Sequence, residues 1–165
     1  MADAAQEPLI TDEMRAQIGV RGEPTTLEVD KLQIRLFARA VGHVDAIFYD
    51  EAAAKAAGYR SLPCPPGYLG TPIYSPRSGG AMAEMPGARG PQPSRPLTRI
   101  LNGGTEIEYL GDICAGDVLT SKTYISKLDE RKGSIGDMLI QETKTEYFNQ
   151  DGKLVAVSTG TLIRY

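Results

Sequence analysis

Histidine is nearly missing from this chain of 165 residues, where His43 stands alone. A single imidazole excludes the ligand sets of most catalytic metal centres, so no metal is expected. Cysteine is scarce as well: Cys64 and Cys114 form neither a metal nor a redox spacing, and both are expected reduced, as in a cytoplasm. No apolar run approaches the roughly 18 to 20 residues that a spanning helix needs, so no membrane role is expected. The opening residues 1–8 are small and acidic and lack the basic and apolar regions of a signal peptide. Positive charge is not in excess either: 18 Lys and Arg face 21 Asp and Glu, a net −3, which argues against wrapping nucleic acid. A Gly-x-Ser-x-Gly elbow, a Rossmann fingerprint and a P-loop are all absent, and the pairs Gly79-Gly80 and Gly103-Gly104 are too short to replace them.

What is present is ordinary globular material, 41% hydrophobic and 24% charged. The length suits one domain over residues 1–165, with a 1–23 extension carrying a short helix and a 75–97 loop rich in Pro and Gly. A loop that long in a compact domain is usually a lid or a binding loop. Between Tyr74 and Thr105 the chain carries Arg77, Arg89, Arg95 and Arg99 against Glu84 alone. A basic segment in an acidic protein suits a phosphorylated ligand or an acidic carrier, although the same arginines also serve simply to solubilise a loop.

Local signals place the elements. Thr11 is an N-cap for a helix ending at Gly19, and Asp30 caps a second helix with Gln33 as its capping-box partner. Leu32, Leu36, Phe37, Ala40 and Val41 form the apolar spacing of that helix, which Gly42 ends. Asp50 opens a third, Ala-rich helix closed by Gly58, and 66–74 is read as a buried helix. Thr25 to Val29 is extended, and strands are expected over 98–110, 117–128, 135–148 and 153–164 from their Thr, Ile, Val and Tyr content. In the last of these, Val155, Val157, Thr159, Thr161 and Ile163 alternate as one half-buried face. Asn149-Gln150-Asp151-Gly152 is a strong hairpin turn and Arg131-Lys132-Gly133 a weaker one. Helices followed by an antiparallel meander make an α+β domain.

The stretch Gly42-His43-Val44-Asp45-Ala46-Ile47-Phe48-Tyr49-Asp50, then Glu51 to Gly58, then Pro63-Cys64-Pro65-Pro66-Gly67, resembles the signature of MaoC-like hydratases. In that signature Gly-Asp-x-Asn-Pro-Ile-His-x-Asp precedes a short Ala-rich helix and Ala-Pro-Gly. Asn102 to Tyr109 and Ala115-Gly116-Asp117 are similar to the family's first long strand and the following turn, so the resemblance runs from about Leu27 to Arg164. It is nearest the N-terminal or non-catalytic branch, and it implies a hotdog fold, a curled antiparallel sheet around a central helix.

In the family, an Asp and a His five residues apart hold the water that adds to an enoyl thioester. His43 falls where the resemblance expects the Asp, Asp45 falls on the Asn, and Phe48 falls on the His. The resemblance therefore implies a subunit of an (R)-specific enoyl-CoA hydratase or 3-hydroxyacyl-thioester dehydratase that shapes the acyl pocket while a hotdog partner supplies the dyad. Phe48, Tyr49, Pro66, Gly67 and Tyr68 would line or border that pocket, with the Gly67 amide placed as an oxyanion donor. The four arginines would meet the phosphates of CoA or an acidic carrier protein, with no cofactor beyond the thioester itself. His43 with Asp45 is the alternative acid–base pair of a self-sufficient homodimer, and a non-catalytic acyl-CoA binding module is the other reading. A curled sheet also leaves an open edge that a second hotdog closes.

Overall fold

In the computed structural model, residues 7–70, 91–134 and 136–165 are described. Three helices come first: α1 (Asp12–Ala16), α2 (Lys31–Ala40) and α3 (Glu51–Ala56). Five strands form one sheet: β1 (Thr25–Glu28), β2 (Ile100–Tyr109), β3 (Val118–Gly133), β4 (Gly136–Phe148) and β5 (Leu154–Arg164), in the order β1-β3-β4-β5-β2. All the pairings are antiparallel. This curled sheet is the hotdog architecture.

Each helix begins where a side chain can satisfy its free amides. Thr11 accepts from the Met14 N–H, Asp30 from those of Leu32 and Gln33, and Asp50 from that of Ala52. The expected capping box on α2 does not close. Gln33 instead accepts a hydrogen bond from the Tyr68 hydroxyl at 2.6 Å, a tertiary contact that outcompetes the local one. Gly42 and Gly58 have φ values of +80° and +95°, the left-handed geometry that ends α2 and α3.

The buried face of α2 differs from the expectation. Ile34 and Ala38 are fully buried, whereas Leu32 and Leu36 are 61% and 56% exposed and Val41 is exposed too. α2 carries apolar residues on two faces, and the core takes the one marked by Ile34 and Ala38. Those two join Val29, Phe48, Leu62, Tyr68, Ile113, Leu119, Tyr147 and Val155 in the main cluster. A second cluster packs Leu9, Ile10 and Met14 of the N-terminal extension on Leu139 of β4. The extension also adds to the sheet through an Ile18–Ile125 bridge, so it is part of the fold rather than an appendage.

Strand β3 runs five residues beyond the expected Leu128 end, so Arg131, Lys132 and Gly133 are paired with Met138, Asp137 and Gly136 and do not form the turn. The Asn149–Gly152 turn does form, with the Gly152 N–H donating to the Asn149 carbonyl at 2.9 Å. Burial along β5 does not alternate: Val155 and Ala156 are both buried and the middle is covered evenly on both sides. Gly103 and Gly104 serve a β-bulge between Asn102 and Gly104, where a Cβ on Gly103 would sit 2.9 Å from the Thr161 methyl. Of the helix expected over 66–74, the described part is a 3₁₀ turn, Tyr68–Gly70; the remainder lies outside the described residues, as does most of the 75–97 loop.

β1 and β2 are the edge strands of the sheet. Among the described residues β2 pairs with β5 alone, and it is exposed along almost its whole length, with Ile100 and Leu101 each about half exposed.

Candidate functional site

The His43 loop is built by the end of α2 and the cap of the next turn. The His43 N–H donates to the Ala38 carbonyl at 2.8 Å, closing α2. Asp45 then accepts from the Ile47 N–H at 3.2 Å and so opens a 3₁₀ turn, Ala46–Phe48. The Asp45 carboxylate is thus placed on backbone, and no hydrogen bond joins it to the His43 ring. That ring instead lies against Phe48, centroids 5.3 Å apart. Tyr49 points its hydroxyl at the His43 carbonyl, 2.5 Å away.

Next to this loop is a cleft of about 250 Å³. One wall is Ile47 and Phe48; another is Pro63, Cys64 and Pro66; the floor is Tyr109, Gly111, Asp112 and Ile113, with Tyr59 at the side. Two long-range backbone contacts hold these walls in register, the Cys64 N–H to the Ile113 carbonyl at 2.7 Å and a Pro63–Cys114 bridge. Among the residues singled out by sequence, Phe48 and Pro66 line the cleft. Gly67, at φ +85°, adjoins it, and its backbone amide lies by the Tyr109 phenol oxygen. Tyr49 and Tyr68 are turned elsewhere: Tyr68 is 5% exposed, bonded to Gln33 and packed edge-on against Phe37.

Sequence reasoning did not single out Tyr59, Tyr109 or Ile113. Their place in the cleft depends on the contact between residues 63–64 and 113–114, some fifty positions apart, which no local pattern encodes.

The cleft is mostly apolar, with Asp112 among its lining residues, and burial disfavours the ionised forms of Tyr109 and Cys64. Burial pushes the Tyr109 phenol up to about 12, with the Gly67 amide opposing weakly. Burial likewise raises the Cys64 thiol, and the adjacent Cys114 and Asp117 add to it, so Cys64 is no thiolate nucleophile at neutral pH. Both cysteines are free.

Behind the floor stands a buried carboxylate. Asp117 is 1% exposed, accepts from the Cys114 N–H at 2.8 Å and from Gln150 at 3.3 Å, and pairs with the Arg60 guanidinium. Burial alone would raise its pKa; Arg60, the Cys114 amide and Gln150 outweigh that and leave it lowered. Its part is to fix the turn that carries Ile113 and Cys114.

Arg77 and Arg89 lie outside the described residues. Arg95 pairs with Asp137 and donates to the Glu7 carbonyl at 2.7 Å, while Arg99 is exposed with its guanidinium 6.0 Å from the Tyr165 ring. Among the described residues no group of His, Cys, Asp and Glu side chains is arranged to hold a metal ion, and no helix is long and apolar enough to cross a membrane.

The fold has relatives of known structure. HadBC, a C-terminally truncated 3R-hydroxyacyl-ACP dehydratase complex of Mycobacterium tuberculosis, superimposes with a TM-score of 0.62 at 22% identity, over 89% of this chain and 98% of that one. A MaoC-like dehydratase of Rhodospirillum rubrum gives 0.62 at 22% identity over 90% and 92%. A UPF0336 protein of Thermobifida fusca is 29% identical over 140 residues, 85% of each chain. The fold is the hotdog that these dehydratases share. More particularly, the profile of the FAS1-like dehydratase domain region matches residues 16–158, and the chain belongs to that family.

Proposed function

We propose that the chain is one subunit of an (R)-specific enoyl-thioester hydratase, or in reverse a 3-hydroxyacyl-thioester dehydratase, and that it shapes the acyl cleft while a partner hotdog supplies the acid–base pair. The observation that supports this reading is the Phe48–His43 contact beside the cleft: an aromatic ring that cannot move a proton falls at the position where the resembled signature has its histidine. An apolar cleft with neutral phenols suits an acyl chain better than a hydrolytic nucleophile. HadBC is itself a complex, and the open β2 edge of this chain has the exposed backbone and apolar side chains that a second hotdog covers. The Gly67 amide would then point at a thioester oxygen only after displacing Tyr109, and CoA or carrier phosphates would fall to arginines such as Arg99.

Assembly tests the proposal. Co-expressed with a dyad-bearing hotdog, the chain is expected to elute as a heteromer, and Leu101→Asp on the exposed edge is expected to dissociate it without lowering the melting temperature. A heteromer unaffected by that change, or a monomer that gathers no hotdog partner and hydrates no enoyl thioester in its company, contradicts it.

A further inference from the structure

Among the described residues Arg164 is the only buried cation. It stands at the end of β5, opposite Leu139 of β4, and is 9% exposed. A guanidinium carries five N–H donors and pays heavily in lost hydration when it is buried without an anion. Here two of the donors reach acceptors, the side-chain oxygens of Gln92 and Gln141 at 3.3 and 3.4 Å. Those distances are long for a charged donor, whose bonds to carboxylates run about 2.7–2.9 Å. The Nε–H is buried with no acceptor.

The nearest carboxylate along the strand is already engaged. Asp137 shares a face of β4 with Leu139 and Gln141, by strand alternation, and pairs with Arg95. Arg95 also donates to the Glu7 carbonyl, and Ser94 bonds to the backbone of Pro8 and Leu9. Ser94 and Arg95 thus tie this segment to the N-terminal extension and to β4, with Asp137 neutralised and Arg164 left over.

The shell around Arg164 has a surface side. Gln92 is exposed, so one of the two amide oxygens on the guanidinium belongs to a side chain at the solvent. Turning it outward breaks one long hydrogen bond and leaves the Ser94 and Arg95 anchors in place.

We propose that Arg164, with Gln92 and Gln141 beside it, is a binding site for the carboxylate group of a small molecule that enters past Gln92. A carboxylate is planar and bidentate, matching the guanidinium fork, and its single charge balances the single buried cation. A phosphate dianion would be only half compensated there. Arg164 is not among the residues that line the cleft, and the site is independent of the enoyl-thioester reading.

The test uses the full chain at neutral pH with acetate, inorganic phosphate and chloride as probes at one ionic strength, so that screening is common to all three. The readouts are the Arg164 Nε–H resonance and the melting temperature. Acetate is expected to shift the resonance saturably and to raise the melting temperature more than chloride does. Arg164→Met should melt no lower than the parent and lose the acetate response. Arg164→Lys, which keeps the charge without the planar fork, should bind acetate about tenfold or more weakly. Acetate acting on the parent no differently from chloride overturns the proposal, as does a stabilisation by acetate that survives in Arg164→Met. Tighter binding of phosphate than of acetate overturns the choice of a carboxylate. An Arg164→Met chain that melts well below the parent, or fails to fold, also overturns it, by showing that the protein itself compensates the cation.

Discussion

His43 and Phe48 meet ring to ring, 5.3 Å between centroids and tilted by 40°, at the wall of the cleft. Phe48 is 9% exposed and belongs to the main core, so it is a packing residue as well as a cleft residue. Phe48→Ala is expected to cost about 3–5 kcal/mol in urea unfolding and to weaken enoyl-thioester binding. Phe48→Leu should recover most of both. His43→Ala, which removes a half-buried ring and no charge partner, should cost about 1 kcal/mol and leave the pH profile of the assembled enzyme unmoved.

Tyr109 is 39% exposed, yet its partial burial in the cleft pushes the phenol up to about 12. A raised folded-state value means that stability is full below the ordinary phenol pKa of about 10 and drains away as pH climbs towards the folded value. Titration of tyrosinate absorbance should show a late component near pH 12 that Tyr109→Phe diminishes. Equal titration of the variant and the parent would place Tyr109 in water.

Asp117 works in the opposite sense. Its folded-state pKa is lowered, so its contribution is full above the ordinary carboxylate value of about 4 and is lost as pH falls through the folded value. Asp117→Asn is expected to cost about 1–3 kcal/mol at pH 7 and to flatten the loss of stability below about pH 4. Denaturant midpoints measured at both pH values check this, and an unchanged acid limb contradicts it.

The chain announces its corners better than its interior. Thr11, Asp30 and Asp50 were legible as caps because capping is a contact over two or three residues, and Asp151-Gly152 was legible because its turn needs a positive φ. The inward face of α2 was not, since Leu32 and Leu36 are as apolar as Ile34 and Ala38 and only the sheet decides between them. The end of β3 was misplaced for a related reason: Arg131, Lys132 and Gly133 are good turn residues that pairing with Asp137 and Met138 keeps extended. Within the site, Phe48 and Pro66 could be picked out from the signature they interrupt or continue. Tyr109 and Ile113 could not, as they reach the cleft through a crossing of distant segments.

Arg164 is a buried cation with no carboxylate partner among the described residues. It is 9% exposed, its Nη atoms donate to Gln92 and Gln141 at 3.3 and 3.4 Å, and its Nε has no partner. Burial lowers its pKa. A desolvated guanidinium whose partners among the described residues are amide oxygens recovers little of its hydration, so Arg164→Met is expected to be neutral or stabilising by about 1–2 kcal/mol. Gln141→Leu, which strips away one of the two oxygens, should destabilise by about 1–3 kcal/mol. A large loss of stability in Arg164→Met, read by thermal unfolding, would show that the cation is compensated.

The division of labour between two hotdogs is tested most directly by following the loss of enone absorbance from crotonyl-CoA and a longer enoyl-CoA. The assay is run with this chain alone, with a dyad-bearing hotdog alone, and with both. The account predicts hydration that is greatest in the mixture, absent from this chain by itself, and indifferent to His43→Ala. Hydration by the purified chain alone, abolished by His43→Ala, would contradict it and make His43 the working base of a self-sufficient enzyme.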